Sequence, residues 1–289
     1  MKISQISENL GITRSTCTAI LDTLEQLQWV ERGADLAYQP GPGLIPVANA
    51  IRARLPIVQR SEPLLRGLLD ELDVQTAALS RVDRTHLTLV AKSSRAAGFD
   101  APPSFRLPLF PPFGASVAAF WPPDAQEQWL NQVPDKPTRD HLRRFLVAIR
   151  ETGVALWRLD QAGQLLQDAV AASDALAPTH GLHRGAASAD HQITALALAL
   201  GRVGFTKEEL RPARQPFAVS YIAGTVFNEV DQPCYSLELH TLRHDISYDE
   251  LGIFVAAVRR SSDQLTEICG GHPDRFLWHR TASIPEAPR

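Results

Sequence analysis

The apolar positions of the first sixty residues recur at helical spacing. Ile3, Ile6 and Leu10 fall at i, i+3 and i+7 with Gly11 behind them, which predicts a short helix over 3–10. Thr13 suits an N-cap, because its hydroxyl can accept from a free first-turn amide. It opens a second predicted helix over 13–28. The apolar stripe of that helix is Cys17, Ile20, Leu21, Leu24 and Leu27, expected to be buried, while Ser15, Thr18, Ala19 and Asp22 point away. Trp29–Arg32 and Leu36–Gln39 flank the turn-forming Gly33-Ala34-Asp35, a short hairpin. Gly41-Pro42-Gly43 closes this unit, and a helix rich in Ala, Ile and Arg follows to about Arg60.

The pattern then changes. Leu64, Leu65, Leu68, Leu69 and Leu72 form a helical stripe, and residues 75–82 and 85–93 read as strands around Asp83-Arg84. Residues 101–137 hold nine of the 21 prolines, which predicts loops with short strands and helices. Helical patterns return over 138–152, 161–172 and 188–201. Strands at about 218–227 and 234–241 are joined by a turn-rich connector. A last helix over about 247–269 stops at Gly270-Gly271, and residues 279–289 form a tail.

Composition narrows the function classes. A chain of 289 residues suggests two domains. A net charge of −3 excludes a strongly basic nucleic-acid coat and a polyacidic tail. Three widely spaced cysteines, Cys17, Cys234 and Cys269, support neither a disulfide framework nor a multi-cysteine zinc site. Cys17, on the buried stripe, reads as a structural thiol. No apolar stretch predicts a signal core or a membrane span, so a cytoplasmic protein without a membrane partner is expected. The pairs His180/His183, His240/His244 and Cys269/His272 have metal-like spacing, but each lacks partners and reads as ordinary surface chemistry. With no nucleophile elbow, phosphate loop or zinc-protease motif, neither an enzyme nor a bound cofactor or metal is expected.

A short helix, a turn at Gly11, a longer helix and a two-stranded ribbon make a helix-turn-helix with a wing. The second helix is small and polar where it would enter a major groove and apolar behind. Arg14, Ser15, Thr16 and Thr18 are therefore the candidate DNA contacts, with Arg32 on the wing reaching backbone phosphate. Residues 1–60 carry six Lys or Arg against five Asp or Glu, so charge alone adds little.

The run Ile3 to Thr16, with Trp29-Val30-Glu31-Arg32 after it, resembles the DNA-binding domain of the IclR family of bacterial transcription regulators. Arg106 to Gly114, Arg202-Val203-Gly204-Phe205 and Val219 to Phe227 running on to Leu239 resemble that family's effector domain, in matching order. The resemblance implies an α+β protein: a winged helix-turn-helix over 1–47, a linker helix over 48–62 and an α/β effector-binding domain over 63–272. That domain would have a mainly antiparallel sheet and a helical insertion, with residues 273–289 as a tail. Family members carry one more helix before the Ile3–Leu10 equivalent. Its apparent absence here would uncover Ile6, Leu10 and Leu24.

The resemblance also implies a ligand site on one sheet face, with Leu109, Phe110, Phe113 and Gly114 as its lid. Tyr221 stands where the family commonly has cysteine, and Glu238 and His240 stand where it has hydroxyls. Alternation puts Glu238 and His240 on one face. The family's acidic residue aligns with Glu208 or Glu209. This set suits a bulky neutral or cationic effector, or fills the pocket outright. The function implied is a ligand-responsive regulator that binds double-stranded operator DNA as a homodimer or tetramer. The alternative is a sensor or protein-interaction module with an incomplete DNA-binding domain.

Overall fold

The computed structural model describes residues 1–53, 56–83, 85–95, 106–159, 204–212 and 215–275. The helices expected over 161–172 and 188–201, the tail at 279–289 and the pair His180/His183 lie outside the described residues. The fold is α+β, in two units that divide between Gln59 and Arg60.

In the first unit, α1 (Ile3–Leu10) stops at Gly11, whose φ of 62° is left-handed. Helix α2 (Arg14–Gln26) starts at Thr13, whose Oγ1 accepts from the Thr16 amide at 3.2 Å. Strands β1 (Val30–Arg32) and β2 (Tyr38–Pro40) pair antiparallel, with Glu31 opposite Gln39. The Tyr38 amide donates to the Met1 carbonyl at 2.7 Å and so adds the chain's first residues to the wing. Helix α3 (Leu44–Ala53) follows. The apolar stripe of α2 is narrower than its sequence implies: Cys17 and Leu21 are buried, Leu24 is half-buried, and Ile20 and Leu27 are exposed. Among the described residues only one short helix and a hairpin are laid against it, too small an area to cover a stripe five residues wide. Leu10 is 58% exposed and Ile6 is half-buried.

The division falls within α4 (Pro56–Leu72), whose part in the second unit buries Leu65, Leu68, Leu69 and Leu72. Among the described residues the second unit is built on six antiparallel strands in the order β5-β4-β3-β8-β7-β6. These are β3 (Thr76–Val82), β4 (His86–Ser94), β5 (Arg106–Pro108), β6 (Val154–Arg158), β7 (Phe217–Phe227) and β8 (Pro233–Ile246). Two of them, β5 and β6, are too short to show alternation; β5 falls where short strands were expected, and β6 was not expected. Strand β8 runs past the expected end at residue 241, so His240 and His244 belong to one strand instead of straddling its end. A register shift between Val219 and Tyr221 interrupts the pairing there. His240 is buried and His244 exposed.

Alternation along β7 and β8 sorts residues to the two faces. Gly224 opposes Leu237 and Ile222 opposes Leu239, and this face meets α8 (Tyr248–Ile268). Ser247 caps α8 by accepting from the Glu250 amide at 3.2 Å. Tyr221, Ala223 and Thr225 point the other way, towards α5 (Ala115–Ala118), α6 (Pro123–Leu130) and α7 (Lys136–Thr152). Their core includes Phe113, Trp129, Phe145, Leu146 and Ile149. Thr225 Oγ1 donates to the Ser116 carbonyl at 2.7 Å and pins α5 over the sheet.

Gly224 is where α8 comes closest. A Cβ there would lie 2.1 Å from Ser262 Oγ and 2.9 Å from Val258 Cγ1. Gly224→Ala should therefore lower stability by about 1–3 kcal/mol through overpacking, seen as a melting temperature several degrees lower by circular dichroism. An unchanged melt would show that α8 is not seated this closely.

Candidate functional site

Between α5 and the sheet lies a small, partly open cavity of about 40 Å³. Leu87, Leu107, Phe113, Gly114, Ser116, Trp157, Tyr221, Ala223, Ser236, Glu238 and His240 line it. Strand order explains how residues this distant in sequence converge. Trp157 of β6 opposes Tyr221 of β7, which opposes His240 of β8, and Ala223 opposes Glu238 in the next row. The three rings make a continuous pile. Trp157 stacks on Tyr221 with centroids 4.1 Å apart and 12° between planes, and Tyr221 stacks on His240 at 5.7 Å. Phe145 meets the Trp157 edge at 5.2 Å, fixing the end of the pile.

Gly114 closes the cavity from above with φ 79°, the left-handed region where glycine is favoured. A Cβ there would also meet Leu109 Cδ2 at 2.3 Å. Ser116 Oγ and Ser236 Oγ lie 3.2 Å apart across the floor. The space admits about three waters at most, since each needs ≳10–15 Å³. A small-molecule site ordinarily offers ~300–1,000 Å³. Admitting a ligand therefore requires the aromatic pile or the Phe113–Gly114 lid to yield.

Near neutrality the imidazole and phenol of this wall are uncharged and its carboxyl is about half-protonated. Burial pushes the Glu238 carboxyl up to about 7, against the opposing pull of hydrogen bonds from Ser236 and Ser80. Burial, helped by the positive charge of Lys92, pushes His240 down to about 4. Burial and then the nearby Glu238 carboxyl hold the Tyr221 phenol well above its ordinary value. The Trp157 indole N–H is buried and has no hydrogen-bond partner among the described residues. A buried unmet donor costs roughly 1–3 kcal/mol, which an incoming acceptor would recover.

The expected lid and wall are only partly brought together. Phe113, Gly114, Tyr221, Glu238 and His240 share the cavity. Leu109 packs instead with Leu87 and Val117, and Phe110 packs at the edge of the α5–α7 core; neither is among the lining residues. Glu209 does not reach the cavity: it accepts from the Thr206 amide at 2.8 Å and pairs with Arg158. Glu208 lines a separate charged groove with Arg143 and Lys207. Ser236 and Ala223 follow by alternation from Glu238 and Tyr221. Trp157 carries no signal of its own, because only the order of the sheet places β6 beside β7.

In the first unit Arg14, Ser15, Thr16, Thr18 and Arg32 are all exposed. Three hydroxyls are engaged at the start of α2, where Thr13 Oγ1 lies 2.9 Å from both Ser15 Oγ and Thr16 Oγ1. Thr18 Oγ1 donates to the Arg14 carbonyl at 2.9 Å, and the Arg32 guanidinium sits 5.7 Å from the Tyr38 ring centre. Asp22 is exposed on the same helix. Among the described residues no three His, Cys, Asp or Glu side chains converge as a metal site, and no helix is long and apolar enough to cross a membrane.

The raised carboxyl and lowered imidazole act oppositely on stability. Between 4.5 and about 7 folded Glu238 keeps a proton that the unfolded chain has lost, so its contribution falls as pH rises. Between about 4 and 6.5 folded His240 lacks a proton that the unfolded chain binds, so its contribution grows with pH. Glu238→Gln should remove the first effect alone. Its stability relative to wild type should climb by on the order of 3 kcal/mol across the Glu238 window, read from denaturant melts at a series of pH values. A difference independent of pH would mean that the carboxyl is hydrated.

No family model and no curated protein sequence matches the chain. Solved structures do. The IclR transcriptional regulator of Alicyclobacillus acidocaldarius superposes with a TM-score of 0.62 at 17% identity, covering 93% of this chain and 90% of that one. The IclR protein of Thermotoga maritima gives 0.53 at 14% identity, over 93% and 91%. An IclR homologue from Microbacterium hydrocarbonoxydans, solved in complex with 4-hydroxybenzoate, gives 0.57 at 16% identity, over 92% and 90%. The fold is thus that of IclR-type regulators, in both its helical head and its sheet domain.

Proposed function

We propose that this chain is a ligand-responsive transcription regulator, which binds a pseudo-palindromic operator as a dimer or tetramer and a small molecule at the Trp157–Tyr221–His240 wall. The observation that carries the reading is the cavity itself. The half-buried Glu238 carboxyl, the neutral His240 imidazole and Trp157, whose indole N–H has no partner among the described residues, line one small space. A core that served stability alone would fill that space with apolar side chains, because unmatched polar groups cost folding energy. The likeness to regulator structures supports pairing this site with a DNA-reading head. The bound 4-hydroxybenzoate in one of them supports a small aromatic as the class of ligand.

In this reading Arg14 at the start of α2 reaches a phosphate or a base edge, and Ser15, Thr16 and Thr18 form the polar surface beside it. Arg32 meets the backbone from the wing, and Phe113 and Gly114 act as the ligand's lid. Leu109 and Phe110 support that lid from behind. No catalytic step is assigned.

A second reading, a sensor or interaction module without DNA binding, is favoured by a different observation. The head exposes Leu10, Ile20, Leu27 and Leu36, an apolar surface of the kind a protein partner would cover.

Salt and mutation separate the two. A fragment selected from random duplexes should bind with affinity that falls steeply with ionic strength, by about 10³–10⁵ between 50 and 200 mM salt if 6–10 phosphates are contacted. Replacing Arg14 and Ser15 by alanine should weaken it further, by about 1–3 kcal/mol for a lost specific contact. Fluorescence anisotropy measures both. Absence of any salt-sensitive DNA affinity would overturn the first reading and leave the second.

A further inference from the structure

Two of the three cysteines meet in the fold although the sequence sets them far apart. Cys234 is the second residue of β8, and Cys269 caps the end of α8. Backbone pairing brings these ends together. Phe227 opposes Pro233, and Asn228 forms an antiparallel bridge with Gly270. The Phe227 amide donates to Thr266 Oγ1 at 3.2 Å, and the Gly271 amide donates to the Thr266 carbonyl at 2.9 Å. The junction is tight: a Cβ on Gly271 would lie 2.7 Å from the Phe227 carbonyl oxygen. Held this way, the two cysteines flank one junction, near enough for each thiol to act on the other, and Cys234 Sγ donates to the Val226 carbonyl at 3.4 Å. Both are half-buried and open to a small reagent, whereas Cys17 is buried.

We propose that Cys234 and Cys269 are an oxidation site, a dithiol that a peroxide converts into an intramolecular disulfide joining the start of β8 to the end of α8. The interaction between the two thiols distinguishes their roles. The Cys234 proton supports charge on Cys269, so Cys269 is held below the ordinary thiol range while Cys234 is pushed above it. The Cys269 thiolate attacks one peroxide oxygen, the O–O bond breaks, and hydroxide leaves a sulfenic acid on Cys269. The Cys234 sulfur then attacks the Cys269 sulfur, the S–O bond breaks and water leaves. Each sulfur loses one electron and the peroxide gains two. Overall, two thiols and one hydrogen peroxide give one disulfide and two waters. The site is independent of ligand binding at the cavity, although the strand it fastens is the one that carries Glu238 and His240.

Full-length wild-type protein treated with hydrogen peroxide, then alkylated in denaturant and mapped by mass spectrometry, tests the proposal directly. A linked peptide containing Cys234 and Cys269 is expected, two hydrogens lighter than the sum of its parts. Cys17 should remain free, so titratable thiols fall from three to one, and dithiothreitol should restore them. Phenylarsine oxide, which bridges neighbouring thiols, should bind the reduced protein in one equivalent and fail to bind Cys269→Ser. Separate sulfinic acids on the two residues, disulfides between chains or linkage through Cys17 would overturn the proposal. Full retention of three thiols would do the same. The wild-type map decides the matter even if the serine variant does not fold.

Discussion

Tyr221 opposite His240 and Ala223 opposite Glu238: this one register between β7 and β8 decides both what the sheet buries and what it offers. Side chains alternate with a period of two, so a slip by one residue would turn every member of the site to the other face. Glu238 and His240 would then press into α8, and Leu237 and Leu239 would line the cavity. The register is held from both sides. Gly224 lets α8 approach closely, and Thr225 fastens α5 through the Ser116 carbonyl. The polar wall is thus a consequence of how the apolar face is packed.

The chemistry of that wall follows from the same burial. A carboxyl near half-protonation, a neutral imidazole and a neutral phenol stand around one small space. Such a surface can donate and accept hydrogen bonds without presenting a full charge. The aromatic pile of Trp157, Tyr221 and His240 occupies much of the volume a ligand would need. Occupancy therefore has to be coupled to movement of those rings or of the loop at Phe113–Gly114. That coupling is a physical basis for a switch, because packed aromatic layers rearrange in discrete steps and not by continuous deformation.

What could be read before the structure was known divides along physical lines. Long periodic segments were legible: the α7 pattern, the α8 pattern and the β7–β8 hairpin all fall within a few residues of their expected bounds. Caps at Gly11 and Thr13 were legible because they act locally. Strand β6 was hidden, since five residues directly after a long helix show no period of their own, and with it went Trp157. The extent of the α2 core was also misjudged. Periodicity tells which side is apolar, but only neighbouring elements decide how much of it is covered. Likewise, counting cysteines excluded a disulfide framework yet could not show that a helix end and a strand start bring Cys234 and Cys269 together. Of the site, the β7 and β8 residues and the Phe113–Gly114 turn were legible through the family pattern. Leu109 and Phe110 belong to the same short run, but the turn at Gly114 directs them away from the cavity.

The central claim is that the cavity wall is a ligand site, and a thermal-shift screen measures it most directly. Wild type and Trp157→Phe, which removes the indole donor while keeping a ring in the pile, would be melted against a panel of small neutral, cationic and anionic aromatics that includes 4-hydroxybenzoate. At least one compound bearing a hydrogen-bond acceptor is expected to raise the wild-type melting temperature in a dose-dependent way. The shift in Trp157→Phe is expected to be clearly smaller, because an acceptor would lose its partner. Equal shifts in both proteins, or none with any compound, would contradict that claim.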